Sequence, residues 1–251
     1  MEDFVVVLNA GSSSLKFCAY SRPQGDQWQL AGRGQIEGIG TSPRFSARDG
    51  AGTKVVDEAL GKTVGDARGA LDTLAAWMRE QYPGARIVGV GHRVVHGGAD
   101  FPAPVVITAD VVDRLRALIP LAPLHQPHNL AAIEAVTTRL PHVPQVACFD
   151  TSFHRGHAAV ADLVPLPKEI RDAGVQRYGF HGLSYEYIAS VLPQVAPTIS
   201  DGRVIVAHLG SGASLCALKN GKGIDSTLGF TALDGLCMGT RPGAIDPGVV
   251  L

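Results

Sequence analysis

A strand that runs into a glycine–serine turn and returns as a second strand occurs twice in this chain. That repetition constrains the fold more than any other feature. Phe4-Val5-Val6-Val7-Leu8-Asn9-Ala10 leads into Gly11-Ser12-Ser13-Ser14 and then Leu15-Lys16-Phe17-Cys18-Ala19. Val204-Ile205-Val206-Ala207-His208-Leu209 leads into Gly210-Ser211-Gly212 and then Ala213-Ser214-Leu215-Cys216-Ala217. Val5 to Leu8 are mostly β-branched, which fits a sheet better than a helix. Small-residue turns are rich in backbone N–H donors and can cradle phosphate oxygens. Lys16, just beyond the first turn, adds a charge there unless strand alternation points it elsewhere. The turns differ by one residue, and copies roughly 200 residues apart are too distant for a solenoid. They predict two related α/β domains, 1–150 and 151–251, each offering one loop to a shared cleft.

Composition allows this and removes other classes. Hydrophobic residues make up 45% of the 251, charged residues 18%, with 30 glycines. That mixture describes a folded chain with many tight turns. A formal net charge of −1 gives no support to a nucleic-acid surface. No apolar run approaches the about eighteen residues that span a bilayer, and no basic-then-apolar leader opens the chain. The four cysteines, Cys18, Cys148, Cys216 and Cys237, form no CxxC pair. The first three sit in apolar strand contexts, so buried thiols in a reducing cytoplasm are expected.

Trp28–Leu30 and Gln35–Ile39 read as further strands of a meander. Leu71, Leu74, Ala75, Met78 and Tyr82 recur at helical spacing, and Pro83-Gly84 ends that helix. Ile87–Gly91 reads as a short strand delivering His92-Arg93-Val94-Val95-His96-Gly97-Gly98, where ligands gather in open α/β sheets. Residues 110–119 read as a helix. Asn129 is read as the cap of the next helix, which runs to Leu140. Val143–Phe149 is a strand ending at Asp150. Pro165 and Pro167 mark a loop, and Tyr185–Leu192 is read as helical. The last residues, Asp246 to Leu251, look like the opening of a new element, so the second domain is expected to be incomplete.

Several groups can carry chemistry. Arg93 and Arg241 lie in glycine-flanked polar stretches, where a planar guanidinium holds two anionic oxygens. Two such arginines suit a phosphoryl group in transfer. Asp150, at a strand end, can hold Mg²⁺ through water, receive a proton or cap a turn. Asn9 can orient a metal's water shell, bond Asp150 or cap a turn. Among the histidines, His181 and His208 adjoin glycines and suit phosphate contacts. The others lack zinc-ligand spacing, which leaves a histidine-based metal hydrolase as a weak third reading. Neither GxxxxGK[ST] nor GxGxxG is present.

The ordered set LNAGSSSLKF, GHRVVHGG, PLAPLHQP, FDTSFH, RYGFHGLS, HLGSGAS and GFTALDGLCMGTR resembles the acetate/propionate kinase (acetokinase) family. The resemblance implies the ASKHA (actin, hexokinase and Hsp70-like, ribonuclease H-like) fold with duplicated domains. It implies reversible, in-line phosphorylation of acetate or propionate by Mg²⁺ and ATP, in a cytoplasmic homodimer. It assigns Asn9, Ser12, Ser14 and Lys16 to the first catalytic motif, with Asn9 on the metal side. Arg93 binds the carboxylate, Asp150 is the essential acid, His181 contacts the transition state, and Arg241 is the second arginine. His125 contacts the phosphoryl group, while His208, Gly210, Ser211 and Gly212 serve the nucleotide phosphates. Val95, Leu124, Phe180 and Ala232 line the methyl pocket. Four positions depart from the family pattern. Ser211 stands for asparagine, Tyr185 for histidine, Ala244 for aspartate and Ala232 for proline. The alternative is an inactive ASKHA-like fragment that only binds phosphate or another protein.

Overall fold

The computed structural model describes residues 2–23, 27–61 and 64–251. They fall into two units. Unit 1 comprises Met1–Val94 and Val105–Cys148, and unit 2 comprises Val95–Pro104 and Phe149–Leu251.

In unit 1 the first strand, β1 (Asp3–Ala10), buries Phe4, Val6, Leu8 and Ala10 on one face, the period-2 pattern of a strand. It pairs antiparallel with β2 (Ser14–Arg22), with Ala10 opposite Leu15 across the turn. A meander continues through β3 (Gln29–Glu37), β4 (Arg44–Asp49) and β5 (Lys54–Ala59). The segments read separately as Trp28–Leu30 and Gln35–Ile39 are thus mostly one strand. The intervening residues include Gly32 and Gly34, whose weak strand propensity hid its continuity.

Helix α1 (Ala67–Gln81) follows, capped by Asp66, whose carboxylate accepts from the Gly69 N–H at 2.8 Å. It buries Leu71, Leu74 and Met78 along one stripe. Strand β6 (Arg86–Val94) then lies parallel to β1, Leu8 beside His92. After the short β7 (Val105–Val106) come α2 (Ala109–Ala117), α3 (Gln126–Arg139) and β8 (Gln145–Phe149). The sheet order is β5-β4-β3-β2-β1-β6-β8-β7. Helix α3 begins before Asn129, at the PLHQP turn. Pro127 takes a first-turn position where its missing N–H costs nothing, and this outweighs the capping preference of Asn129. Phe4, Phe17, Phe45, Trp77 and Tyr82 form a continuous aromatic cluster, with ring centroids 5.0–6.2 Å apart.

Unit 2 holds two short helices, α4 (Ala159–Asp162) and α5 (Lys168–Asp172), on either side of the Pro165–Pro167 loop. Helix α6 (Gly182–Val195) starts a turn earlier than its apolar spacing indicates and carries Pro193 in its last turn. Strands β9 (Arg203–Leu209), β10 (Ala213–Lys219) and β11 (Lys222–Ser226) make an antiparallel sheet. Tyr185 from α6 and Cys216 and Leu218 from β10 form its buried centre. Cys18 and Cys148 are half-buried, because each occupies the less covered face of its strand; Cys216 is fully buried. Among the described residues, no helix is long and apolar enough to cross a membrane.

Candidate active site

The two glycine–serine turns close in related ways. Gly11 N–H donates to the Ser14 carbonyl at 2.8 Å, and Gly210 N–H to the Gly212 carbonyl at 3.1 Å. The second loop is shorter by the residue missing from its sequence.

In unit 1 the first turn brings polar groups to the end of the sheet. Asn9 and Lys16 face each other across β1 and β2, so they share one sheet face. The Arg93 guanidinium donates to Asn9 Oδ1 at 3.0 Å. Ser12 and Lys16 are exposed, and Ser14 is half-buried as the first residue of β2. Asn129, 3% exposed, donates to the Ala10 carbonyl at 2.8 Å and ties α3 to the root of the turn. His125 stands at the N-cap of α3, exposed beside Leu124.

In unit 2 a second cluster surrounds the Gly210-Ser211-Gly212 loop. The His181 and His208 rings stack with centroids 4.1 Å apart and planes 21° from parallel. His181 Nδ1 lies 2.8 Å from Ser214 Oγ, which also bonds the Tyr185 hydroxyl. His208 Nδ1 lies 3.0 Å from Ser184 Oγ. Arg241 donates to the Ala232 carbonyl at 2.6 Å, while Gly239 N–H donates to the Ser211 carbonyl at 3.0 Å. The 232–241 segment is thereby fastened to the loop. A β-carbon on Gly212 would stand 2.7 Å from Arg241 Nη2 and 3.3 Å from His181 Nε2. A larger residue here would push the guanidinium aside.

Asp150 is 2% exposed, and its carbonyl accepts from the Gly182 N–H at 2.8 Å. This bond ties the FDTSFH stretch to the start of α6. His181, at φ 59°, holds a left-handed conformation rarely adopted outside glycine. Its neighbours enforce that turn. His154 bonds the Phe180 carbonyl at 3.0 Å, and Gly179, at φ +69°, lies flat against the His154 ring. Arg155 donates to the carbonyls of Arg177 and Tyr178 at 3.1 and 2.9 Å. Val95 and Phe180 are buried and Ala232 is half-buried.

Three further histidines, His92, His96 and His154, are buried. Burial pushes His92, His96 and His154 down to about 4, leaving each neutral at pH 7. His92 is bonded to Gln145 at 2.7 Å, and His96 Nδ1 accepts from the Gly98 N–H at 2.9 Å. Among the described residues no group of three or more His, Cys, Asp or Glu is placed to hold a metal ion. A cavity of about 820 Å³ in unit 1, lined by Leu71, Leu74, Met78 and Val136, contains none of the candidate site residues.

Ser184 and Ser214 close the motifs RYGFHGLS and HLGSGAS, but the motifs alone give no sign that these serines hold the stacked imidazoles. Ser214 did carry a signal: it is a polar residue on the same inward strand face as Cys216 and Leu218.

The profile of the Acetokinase family matches residues 4–251. The chain belongs to the acetokinase family. An acetate kinase of Nitrobacter hamburgensis is 54% identical over 252 residues, covering 99% of this chain and 62% of that protein. A propionate kinase structure from Francisella tularensis superposes with a TM-score of 0.88 at 36% identity, covering 99% of this chain and 63% of that one. The Porphyromonas gingivalis acetate kinase structure gives 0.83 at 36% identity, covering 99% and 63%. The chain thus spans less than two thirds of the length of these acetokinase relatives. Their shared topology makes the fold acetokinase-like, of the ASKHA kind.

Proposed function

We propose that this acetokinase chain carries the phosphoryl-transfer machinery of a carboxylate kinase, which moves the γ-phosphoryl group of ATP to acetate or propionate. The observation that carries this reading is the convergence of Arg241 and His181 on Gly212. A cationic fork and an imidazole beside a loop rich in backbone N–H groups form a device for spreading phosphoryl charge.

In the proposed reaction a carboxylate oxygen bonds to the γ-phosphorus as the bond to the β-bridging oxygen breaks, and ADP leaves. The reverse reaction makes ATP. Arg93 holds the carboxylate, and Asn9 supports it by accepting one of the guanidinium's bonds. His181 and Arg241 stabilise the equatorial oxygens. Asp150 acts as the acid–base group at the transfer site. His208 and Gly210, Ser211 and Gly212 receive the nucleotide phosphates, with Ser12, Ser14, Lys16 and His125 as further phosphoryl contacts. Serine at 211 keeps a hydroxyl donor with shorter reach than the family's asparagine. Val95, Leu124, Phe180 and Ala232 have acyl-chain roles, and alanine at 232 favours acceptance of propionate.

Magnesium fits the donor chemistry. Asn9 Oδ1 takes one bond from Arg93 and keeps a second lone pair for a metal-bound water. Mg²⁺ commonly binds through substrate phosphates and water, so it does not require a protein cage. When bound with ATP it supplies charge neutralisation at the phosphates.

The paired glycine–serine hairpins support a duplicated-domain origin. A cytoplasmic homodimer is part of the same proposal, and sedimentation tests the dimer.

Acyl phosphate formation by the 251-residue chain, trapped with hydroxylamine, tests the reaction. Mg²⁺, ATP and carboxylates from formate to butyrate are supplied, with Arg241→Ala as control. Product that disappears in the control is expected. No product from soluble, folded chain would overturn the catalytic reading and favour a phosphate-binding or protein-associating role.

A further inference from the structure

The catalytic reading needs His181 to present a hydrogen-bond donor to the glycine loop. An imidazole does this only when its proton sits on Nε2, the nitrogen facing Gly212. Neutral histidine has two tautomers, and the partner of the other nitrogen decides between them.

That partner belongs to a chain of three groups, of which two are fully buried and His181 is half-buried. Tyr185 and Ser214 are both 0% exposed. Burial raises the Tyr185 phenol to about 12, so it retains its proton and must donate it. Among the described residues the only acceptor recorded for that hydroxyl is Ser214 Oγ. Ser214 Oγ has one hydrogen of its own and two recorded side-chain partners, Tyr185 and His181 Nδ1 at 2.8 Å. With Tyr185 donating, the serine hydrogen has one acceptor left, His181 Nδ1. The opposite arrangement, Nδ1–H donating to the serine, strands the serine hydrogen in a fully buried site. Leaving a buried polar group unpaired costs about 1–3 kcal/mol, enough to decide between tautomers.

We infer that Tyr185 and Ser214 are positioning residues: their relay, Tyr185 O–H to Ser214 Oγ–H to His181 Nδ1, locks His181 as its Nε2–H tautomer and aims that proton at the Gly212 loop. The backbone cooperates. The N–H groups of Ser184 and Tyr185 both bond the His181 carbonyl, at 3.0 and 3.2 Å, holding the left-handed turn that sets the ring's direction. The stacked His208 ring supports the other face. Tyrosine at 185, where the family pattern has histidine, makes the relay's outer end a group that does not titrate near neutrality.

The catalytic consequence rests on the proposed phosphoryl contact of His181; the tautomer does not. The test therefore has two separate readouts on the 251-residue chain at pH 7.5. Long-range ¹H–¹⁵N spectra report which ring nitrogen carries the proton, with His181→Gln identifying the signals. The wild type is expected to show a protonated Nε2 and a bare Nδ1. Ser214→Ala is expected to give a mixture, and Ser214→Thr, which keeps the hydroxyl, to restore the single tautomer. Tyr185→Phe is expected to erode it partly. In acyl phosphate formation, Ser214→Ala lowers kcat by about ten- to a hundred-fold, the cost typical of losing an orienting partner, with the carboxylate KM nearly unchanged. A proton on Nδ1 in the wild type overturns the inference without any variant. So does an unaltered tautomer in Ser214→Ala. A correct tautomer in a chain that forms no acyl phosphate would uphold the relay and reject the catalytic reading instead.

Discussion

Gly212 and Arg241 are in a contact that any β-carbon at 212 would crowd. A β-carbon at 212 would lie 2.7 Å from Nη2 of the guanidinium, which is itself tied to the Ala232 carbonyl. Gly212→Ala therefore displaces the arginine. The expected result is a loss of about 10²–10³ in kcat for acyl phosphate formation, the scale of removing one donor from a developing oxyanion. The melting temperature should change by only a few degrees, because Arg241 is half-buried at the loop and outside the unit's core. Unaltered kcat would show that the guanidinium does not act from this position.

Acid stability follows from three neutral imidazoles. His92, His96 and His154 are held at about 4 by burial, against 6.5 for a free ring. The unfolded chain binds their protons first as pH falls. Each therefore contributes stability that is fully present above about 6.5 and is lost as pH falls toward 4. Each is worth on the order of 3 kcal/mol. Urea midpoints should fall steadily from pH 7 to pH 4.5. His92→Gln keeps a donor for Gln145 but removes one titrating group, so its midpoint should fall less steeply. Equal slopes for the two proteins would count against His92 as a neutral buried group.

How much of this was legible in sequence depended on whether the relevant force was local. The β1–β2 and β9–β10 hairpins were legible because alternation and small-residue turns act within about fifteen residues. The one-residue difference between their loops reappears as Ser14 against Gly212 in the closing bonds. Strands β4 and β5 gave little signal. β5 is exposed at nearly every position, so burial left no pattern in its residues. The start of α3 is hard to read locally because a capping asparagine competes with a first-turn proline, and the fold uses Asn129 elsewhere, on Ala10.

Motif order proposes the residue types of the candidate site. It does not give their geometry. The left-handed turn at His181 is flanked by His154, which bonds the Phe180 carbonyl from 26 residues away in sequence. Ser214 illustrates the same limit: its position among small residues looks unremarkable until Tyr185 and His181 are placed on either side of it.

Asn129 offers a stability test away from the chemistry. Its amide donates to the Ala10 carbonyl, both residues being buried, and so fixes the end of β1 to the first turn of α3. Asn129→Ala leaves that carbonyl without this donor and should cost about 1–3 kcal/mol. Asn129→Asp should cost more, since a carboxylate would face the carbonyl oxygen. Urea denaturation of the three proteins at pH 7 measures both. A change below about 0.5 kcal/mol in the alanine variant would show that water or another donor replaces the amide.

Ala232 tests acyl selectivity. Its carbonyl anchors Arg241, and proline at this position keeps that carbonyl, so the arginine should stay in place. What proline adds is a ring, and what it removes is room. One methylene in an apolar pocket is worth about 1–3 kcal/mol, or 10–200-fold in kcat/KM. Ala232→Pro should thus lower the propionate-to-acetate ratio of kcat/KM by about ten-fold or more, while kcat with acetate stays within a few-fold of wild type. The comparison is internal to one enzyme preparation, so partial misfolding cancels from the ratio. A ratio that does not move would remove Ala232 from the acyl pocket. A fall in both substrates alike would instead point to the Arg241 anchor as the group disturbed.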